Sequence, residues 1–441
     1  MRYRLAPLLL GLGASAGLAA AVPVGATSVR IRASGEQLLQ LAERLLSSGD
    51  PAKAKSILLL LSGDPNADIR NEAKFRHAKL LVGEGQTTRA ALLLREIIDD
   101  RPDAAPVRLE LAGLLDKMGD QEGAWRQVRA IHAGGLPPEV ARIVDRYSEA
   151  LRARRLFGAS FEIALAPDSN INRATRSDTL GTVLGDFQIA DDGKEKTGTG
   201  VALNGQAYRR FSLGMNSSLL VRVGGFADLF PDKQFNEIAA DIGVGPEFNL
   251  GRDRLQLEVG ATQRWFGQEK FIRSARIAAT FSHPLGGLTL IRLNGSAWLV
   301  DNQRNDLEDG KTFSGQVSLE HALTPTTGIA GSLGLQRLSA KDPGYSTTGW
   351  RGSLTGWRDM GRMTLTASAE LGRLHADERL ILFPHKRADK YTRFSIGATF
   401  RQLQIGGFAP VARFSFERNK SKIELYDFRR KRAEIGVVRA F

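Results

Sequence analysis

The most distinctive polar motif in this sequence is the segment Ala166-Pro167-Asp168-Ser169-Asn170-Ile171-Asn172. Its aspartate, serine and asparagine side chains are short enough to hydrogen-bond to nearby backbone, and its proline interrupts the pairing of β-strands. The motif therefore predicts either a fixed turn at the end of a strand or a polar latch at the rim of the structure that contains the strand. A metal site does not follow, because Asp168 has no acidic or histidine partner close to it in the sequence.

Catalytic chemistry has little support in the sequence. The chain contains no cysteine, which excludes disulfides, thiolate catalysis and Cys-ligated metal centres. Its six histidines are scattered and form no zinc-protease motif, and neither a nucleophile elbow nor a phosphate-binding loop is present. We therefore expect neither an enzyme nor a bound metal or cofactor.

The chain is basic, with 61 Lys and Arg against 48 Asp and Glu and a net charge of +13. Most of this excess lies beyond residue 156, whereas the preceding segment is nearly balanced and does not suggest nucleic-acid binding. The chain after residue 26 has no apolar run of about eighteen residues, the length that a membrane-spanning helix needs. A membrane location would therefore require a β-barrel.

The first residues have the pattern of an export signal. Arg2 and Arg4 precede the apolar stretch 5–18, and small residues follow as possible cleavage sites. We expect residues 1–26 to be a signal peptide. The alternative, a membrane anchor, is disfavoured because the apolar stretch is short and rich in Gly and Ala.

Residues 27–155 contain a helical repeat. Gly49, Gly85 and Gly119 are 36 and 34 residues apart, and aligning them brings small and large apolar residues into one register. The aligned sets are Ala42, Ala78 and Ala112; Leu45, Leu81 and Leu115; Ala54, Ala90 and Ala124; Leu58, Leu94 and Val128; and Leu61, Ile97 and Ile131. This period predicts tetratricopeptide-like helical hairpins that stack into an α-solenoid. Such an array can hold a peptide in its concave groove, or it can merely space and stabilise the next domain.

From residue 157 the apolar period changes to two. Phe394 and Ile396, for example, alternate with Arg393 and Ser395. Six short turns alternate with seven longer polar connections, which we expect at 173–196, 229–235, 265–273, 301–313, 338–347, 375–391 and 419–427. This alternation is typical of outer-membrane barrels. We therefore expect residues 156–441 to form an antiparallel transmembrane β-barrel of fourteen strands. The whole chain is then expected to be an α + β multidomain protein.

Three arginines are expected to face the barrel interior, because the alternation places Arg393, Arg401 and Arg413 on the polar face. A basic interior could favour anions, as in a diffusion porin. More often such residues pair with acidic side chains, here Glu417, or meet lipopolysaccharide at the rim. The loop 375–391 has apolar residues between charged flanks and is expected to fold inward as a plug, to contact a transported molecule, or to pack as an ordinary loop.

The end of the chain resembles the signal by which the barrel-assembly machinery recognises a final strand. The aromatic Phe441 follows a strand-like segment that contains Gly436, while Arg439 stands where that pattern has a second aromatic residue. With an even number of strands, the start of the first strand and the end of the last strand both lie on the periplasmic side. We therefore expect residues 27–155 in the periplasm and residues 156–441 in the outer membrane of a Gram-negative bacterium.

The order of domains and the barrel-entry segment 161–175 resemble the surface lipoprotein assembly modulator (Slam) family, with 166–172 as the most specific match. The resemblance implies a translocon that delivers a surface lipoprotein, or in some members a soluble secreted protein, to the cell surface. It implies as partners that protein client, the barrel-assembly machinery, outer-membrane lipid and lipopolysaccharide. The candidates for client binding or gating are Pro167, Asp168, Ser169, Asn170, Asn172, Arg393, Arg401 and Arg413; Gly436 and Phe441 belong to the assembly signal.

Two other functions remain open, an exopolysaccharide exporter, which also joins repeats to a barrel, and a passive porin, for which the repeats would be superfluous. Fourteen strands about 4.8 Å apart and tilted by about 40° enclose a circle roughly 28 Å across, which side chains narrow to about 15–18 Å. A folded domain of about 100 residues, roughly 33 Å in diameter, cannot pass through such a lumen. A protein client is therefore expected to cross unfolded, or through a lateral opening between the first and last strands.

Overall fold

The computed structural model describes residues 33–118, 120–134, 144, 156–360, 363–400 and 408–440. The predicted signal peptide, Arg401 and Phe441 lie outside the described residues. The chain divides into two compact units, residues 1–100 and residues 101–441. The change from helices to strands, predicted at 155–156, falls within the second unit, where the first strand begins at Phe157.

Six helices of the described residues form three successive hairpins. They are α1 (Gly35–Ser47), α2 (Pro51–Leu61), α3 (Ala67–Gly83), α4 (Thr87–Asp100), α5 (Ala105–Met118) and α6 (Gln121–Ala133). Gly49 and Gly85, in the turns of the first two hairpins, have positive φ angles of 83° and 74°, which glycine adopts without steric cost. Asp50 and Asp120 cap the second helix of their hairpins by accepting hydrogen bonds from backbone N–H groups. None of the helices in the described ranges is long and apolar enough to cross a membrane.

The residues that the repeat alignment brings together are buried, except Leu45, which is partly exposed. Ala42, Ala78 and Ala112 are at most 1% exposed, and small residues at these positions let paired helices approach closely. The corresponding large residues of the second helices are at most 4% exposed, namely Leu58, Leu94, Val128, Leu61, Ile97 and Ile131. In the first unit, α1 and α2 bury Leu38 and Leu58 against α3. The helical hairpins are therefore present, while a tetratricopeptide-like solenoid stays a prediction.

Fourteen strands of the described residues close into an antiparallel barrel, which confirms the predicted strand number. Each strand pairs with its neighbours along the chain, and the last strand pairs with the first. The barrel strands are β1 (Phe157–Asp168), β4 (Gly198–Ser212), β5 (Ser217–Leu229), β6 (Glu237–Leu250), β7 (Asp253–Phe266), β8 (Glu269–Leu285), β9 (Thr289–Asn302), β10 (Gly310–Thr324), β11 (Thr327–Ala340), β12 (Thr347–Met360), β13 (Met363–Ala376), β14 (Ala388–Phe400), β15 (Ala409–Ser421) and β16 (Phe428–Ala440). A separate hairpin of β2 (Thr179–Thr182) and β3 (Gly185–Gln188) lies in the connection between β1 and β4.

One predicted long connection is wrong. The connection between β7 and β8, expected over 265–273, is a two-residue turn at Gly267 and Gln268. Both turn residues have positive φ angles, 57° and 69°, the geometry that suits a tight hairpin. The polar residues around the turn belong to strands of 14 and 17 residues, which exceed the roughly ten residues needed to cross the membrane. Their polarity therefore reflects strand ends in water and not a loop.

The two faces of the barrel wall differ as the alternation predicts. Phe394 and Ile396 are 51% and 59% exposed on the outside, and Arg393 and Ser395, which alternate with them, face the interior. Outward-facing leucines on other strands, such as Leu333 and Leu354, are more than half exposed in the same way. The outside is therefore apolar and the inside polar, as in a barrel that meets lipid.

Helix α6 packs against the short-turn end of the barrel within the second unit. Arg129 of α6 forms an ion pair with Glu320 of β10. His132 lies so close to the β8–β9 turn that a Cβ atom built on Gly287 would stand 2.5 Å from its Nδ1 atom. The third helical hairpin thus belongs structurally with the barrel.

Candidate functional site in the barrel interior and at the strand seam

The junction between β1 and β16, which we call the seam, has the fewest paired residues of any barrel junction in the described part of the chain. It contains seven residue pairs among the described residues, whereas β1 and β4 share twelve and the other junctions at least eleven. The ladder to β16 is interrupted at Ala166 and Pro167. Proline has no N–H group to donate, so the predicted interruption by Pro167 falls at the point where the barrel closes.

Buried ionic contacts close the outer end of the seam, the end that carries the longer loops. The side chain of Asp168, at the end of β1, is fully buried. Its carboxylate accepts hydrogen bonds from Nε and Nη2 of Arg430 at 2.7 and 2.5 Å, and Nη1 of Arg432 lies 3.6 Å away. Both arginines lie on β16 and have side chains less than 10% exposed.

Asn170 and Ser169 extend this closure through the backbone. Asn170 is fully buried, and its Nδ2 atom donates to the carbonyl oxygen of Arg429 on β16 at 3.0 Å. Its own N–H donates to Asp168 Oδ1 at 2.9 Å. The Ser169 N–H donates to the Lys431 carbonyl, and its Oγ atom accepts from the Lys431 N–H, both at 2.9 Å. We call the four buried residues the outer latch: Asp168, Asn170, Arg430 and Arg432.

Asn172 holds the loop that follows β1. Its Nδ2 atom donates to the Lys194 carbonyl at 2.7 Å, and its Oδ1 atom accepts from the Lys196 N–H at 3.1 Å. The motif therefore forms a fixed, hydrogen-bonded strand end. Burial keeps Asp168 and Asn170 away from any transported molecule in this conformation, and a role in gating stays a prediction.

Ion pairs continue from the outer latch into the barrel interior. Arg432 donates two hydrogen bonds to the carboxylate of Asp228 on β5, at 2.9 and 2.7 Å. Arg413 of β15 bonds to Glu434 of β16 at 2.5 Å and to Glu162 of β1 at 3.1 Å. Arg413 therefore faces the interior, as the alternation predicts, and its charge links three strands across the seam.

Arg393 also faces the interior, where it stands opposite Glu417 in the pairing of β14 with β15. It lines a central cavity of about 1040 Å³. Arg393 forms no ion pair within the described part of the chain, in contrast to Arg413. The third predicted arginine, Arg401, lies outside the described residues.

The cavity has a charged wall and a neutral wall. On the charged wall, Arg222 bonds to Asp241 at 2.8 Å and to Glu258 at 3.0 Å, and Glu258 also pairs with Arg276. On the neutral wall, Ser296 of β9 and Ser314 of β10 form a hydroxyl pair at 2.7 Å. Two further hydroxyl pairs, Ser332 with Ser353 and Ser368 with Ser395, lie beside the ion pair of Arg351 with Glu370. Charged side chains therefore line the cavity on β5–β8 and on β12–β15, whereas the lining residues of β9–β11 are uncharged.

Arg173 is an interior residue that the sequence reasoning missed. It follows the polar motif with a positive φ of 49°, and its guanidinium lies 3.9 Å from both Glu237 and Glu417. The loop after β1 therefore enters the mouth of the barrel and lines the cavity. The sequence signal was the run of backbone-bonding residues before Arg173, which reverses the chain toward the interior.

The outer loops pack on one another. Leu380, Phe383 and Ile423 form a buried cluster, so the loop predicted at 375–391 packs among its neighbours instead of plugging the barrel. Hydrogen bonds from Arg337 hold the pKa of Asp377 in this loop below its usual value of 3.8. A lowered carboxyl pKa stabilises the folded state above the ordinary value, and this stabilisation is lost as the pH falls through the lower one. We therefore expect this loop contact to persist from neutral pH down to about 4.

Gly436 lies on β16 inside the seam. A Cβ atom built on it would stand 2.5 Å from Ala164 Cα, and the carbonyl oxygen of Ile163 would be closer still. Glycine is therefore required here by the close approach of β1. The other predicted residue of the assembly signal, Phe441, lies outside the described residues.

No group of three or more His, Asp or Glu side chains that could hold a metal ion occurs in the described ranges. The candidate site thus consists of paired charges, hydroxyl groups and an unevenly paired seam. Such an arrangement can bind polar groups and can separate two strands.

A closed antiparallel barrel with an apolar outside and a charged inside defines an outer-membrane β-barrel protein. The family model described as surface lipoprotein assembly modifier matches residues 158–441. The chain therefore belongs to the surface lipoprotein assembly modifier family and lies in the outer membrane, as the resemblance of the barrel-entry segment implied.

Curated relatives support this assignment. Surface lipoprotein assembly modifier 1 of Neisseria meningitidis serogroup B is 23% identical over 407 residues, which cover 84% of this chain and 76% of the relative. The protein of the same name in Haemophilus influenzae is 26% identical over 173 residues, 39% of this chain and 35% of the relative. The surface lipoprotein assembly modifier of Moraxella catarrhalis is 23% identical over 370 residues, 79% of this chain and 68% of the relative. The matched part of this chain thus spans about a third of the Haemophilus relative.

Solved structures resemble the chain only distantly. A bacterial polysaccharide outer membrane secretin has 12% identity and a TM-score of 0.35, with 64% of this chain and 98% of that chain covered. A loop-deletion mutant of OmpT from Vibrio cholerae has 9% identity and a TM-score of 0.37, with 65% and 100% covered. These values favour neither the exporter nor the porin alternative.

Proposed function

We propose that this chain delivers a protein client, a surface lipoprotein or a soluble secreted protein, to the cell surface by opening the seam. The observation that carries the proposal is the sparse pairing between β1 and β16, where side chains of the outer latch replace part of the backbone ladder. Edge strands that lack backbone partners can separate or pair with another chain. The curated relatives are named for surface lipoprotein assembly, which supports a lipoprotein as the client class.

The interior supports a lateral route better than a central one. A folded domain of about 100 residues is roughly 33 Å across. The central cavity has a volume of about 1040 Å³, which is far too small to contain such a domain. Arg173 and the ion pairs around Glu258 further narrow the path. An exopolysaccharide exporter or a passive porin would use the lumen itself, so both alternatives predict transport that does not depend on the seam.

The helical hairpins would hold the client on the periplasmic side before it reaches the barrel. Stacked helical hairpins present extended surfaces that suit peptide binding. The barrel-assembly machinery would act earlier, when the barrel is inserted, and outer-membrane lipid would surround the apolar face.

Locking the seam tests the proposed route. Ile163 and Val437 stand opposite each other across the seam, so Ile163→Cys with Val437→Cys can form a cross-link in a chain that has no native cysteine. We expect oxidation to abolish surface display of the client and a reductant to restore it. The client is defined beforehand as the protein that disappears from the surface or supernatant proteome when the gene is deleted.

A matched cross-link in the opposite wall is the control. Leu293 and Val317 stand opposite each other on β9 and β10, also with outward-facing side chains. Leu293→Cys with Val317→Cys should leave display unchanged after oxidation. Normal display with a fully oxidised seam would refute the lateral route.

Removing the first helical unit tests the holding role. Deletion of residues 35–100 leaves α5, α6 and the barrel, which form the second compact unit. We expect surface display to be lost while the barrel still inserts and keeps its heat-modifiable mobility in gels. If display continues at the normal rate, the helices do not hold the client.

A further inference from the structure

A row of like charges crosses the outside of the barrel near its outer end. Arg373 stands opposite Lys390 in the pairing of β13 with β14, and Lys390 stands opposite Lys420 in the pairing of β14 with β15. On β16, Arg429 and Lys431 continue the basic surface, and all five side chains are exposed. We call these five residues the outer basic patch.

The alternation of each strand fixes the outward direction of these side chains. Arg373 is two residues from Leu371, and Lys390 is four residues from Phe394, both of which are 51% exposed on the outer face. Residues an even number apart along a strand share a face. Lys431 likewise shares the face of Ile435, which is 66% exposed.

Like charges directly opposite one another on paired strands repel, so such a row is unfavourable unless an anion lies between them. Arg373, Lys390 and Lys420 form no ion pair with any described residue. Other outward arginines near this end do have acidic neighbours. Arg273 stands opposite Asp301, and Arg418 pairs with Asp427 at 2.5 Å.

The level of the patch in the membrane follows from its neighbours in the same row. Trp350 stands opposite Arg373 and is 40% exposed on the outside. Tryptophan is enriched where lipid headgroups begin. The patch therefore lies at the headgroup level of the outer leaflet, directly above the apolar side chains of Leu371 and Phe394.

We propose that the outer basic patch binds the phosphate groups of lipopolysaccharide, the phosphorylated lipid of the outer leaflet. The phosphates lie between Arg373, Lys390 and Lys420 and neutralise their mutual repulsion, while the acyl chains cover the apolar surface below. Lysine and arginine both donate charge-assisted hydrogen bonds to phosphate oxygens. The site is independent of the route by which a client crosses.

Binding to the purified full chain tests this site. The chain in non-ionic detergent with a chelator is titrated with lipopolysaccharide, with its dephosphorylated form, and with inorganic phosphate, and the affinity and thermal midpoint are measured. Near a membrane surface each basic residue changes binding about fivefold, so Lys390→Gln with Lys420→Gln should weaken lipopolysaccharide binding about thirtyfold. Without lipopolysaccharide, the same double variant should have a thermal midpoint at or above that of the unsubstituted chain, because the repulsion is relieved.

Charge-matched variants separate the patch from general basicity. Arg273→Gln with Lys311→Gln removes two outward charges on β8 and β10, where Asp301 and Leu299 stand opposite, and should leave binding unchanged. Lys390→Arg with Lys420→Arg keeps both charges and should retain lipopolysaccharide binding. This result would show that the two positions tolerate substitution. Equal binding by the patch variant, or an equal response to inorganic phosphate or dephosphorylated lipid, overturns the assignment. If Lys390→Gln with Lys420→Gln binds lipopolysaccharide normally but loses surface display of the client, the patch is a client site, and this outcome also overturns the assignment.

Discussion

Replacing Asp168 by asparagine should lower the free energy of unfolding of the barrel by about 3–5 kcal/mol, because a buried charge then loses its partner. The Asp168 side chain is fully buried and bonds to Arg430, which is itself 7% exposed. The substitution keeps the shape of the side chain, but among the described residues it leaves the guanidinium of Arg430 with Glu417, at 3.8 Å, as its one acidic partner. Unfolding in urea, followed by gel mobility, measures the change.

A matched exposed pair is the control for this prediction. Arg337 and Asp377 form a similar two-pronged contact, but their side chains are 40% and 36% exposed. Asp377→Asn should therefore change the stability far less than Asp168→Asn does, because solvent screens the exposed pair. If both substitutions lower the free energy of unfolding equally, burial of the outer latch does not strengthen its ion pair.

The substitution Asp168→Asn should also change function. Without Asp168 the outer end of the seam keeps the Asn170 and Ser169 contacts but loses its strongest ionic link. If the seam is the route, the variant should make cells more permeable to large antibiotics while client display continues. If Asp168→Asn destabilises the barrel without raising the permeability, the outer latch does not control the route.

Replacing Gly436 by alanine should prevent closure of the barrel. The added Cβ atom would stand 2.5 Å from Ala164 Cα, a main-chain atom that cannot turn aside as a side chain can. We expect the folded, heat-modifiable form to disappear or to fall to a small fraction of its normal amount. Stable folding of Gly436→Ala in the outer membrane would contradict the close approach of β1 and β16.

Two controls separate sterics from recognition by the assembly machinery. A Cβ atom on Gly295 or Gly315 would meet nothing within 4 Å, so Gly295→Ala and Gly315→Ala should fold normally. Refolding of purified Gly436→Ala into detergent, without any assembly machinery, should fail to the same extent as insertion in cells. Normal refolding in detergent would instead assign the defect to the recognition signal.

Local patterns were sufficient to predict much of this fold. The repeat alignment found the buried Ala42 and Ala78, because helix pairs leave room only for small residues there. Alternation along β15 placed Arg413 in the interior, because a strand wetted on one side keeps a strict period of two. The strand number followed from the spacing of the turns.

What the sequence did not predict depends on contacts between distant segments. Arg430 and Arg432 lie on the polar face of β16, but their partner Asp168 is 262 residues from Arg430 along the chain. Arg173 enters the barrel only because its loop folds back, which no periodicity encodes. The β7–β8 connection was predicted too long because Glu269 and Lys270 are polar although they belong to β8, since a strand end that leaves the lipid needs no apolar side.

The long separation across the seam also bears on how the barrel comes into being. All other barrel strands pair with neighbours along the chain, so their pairing requires the closure of comparatively short loops. Joining β1 to β16 brings together segments about 270 residues apart and carries the largest entropic cost of any strand pairing in the barrel. We therefore expect this pairing to form last when the barrel assembles. If it is also the first to open, the proposed export through the seam would retrace the last moment of the barrel's own formation.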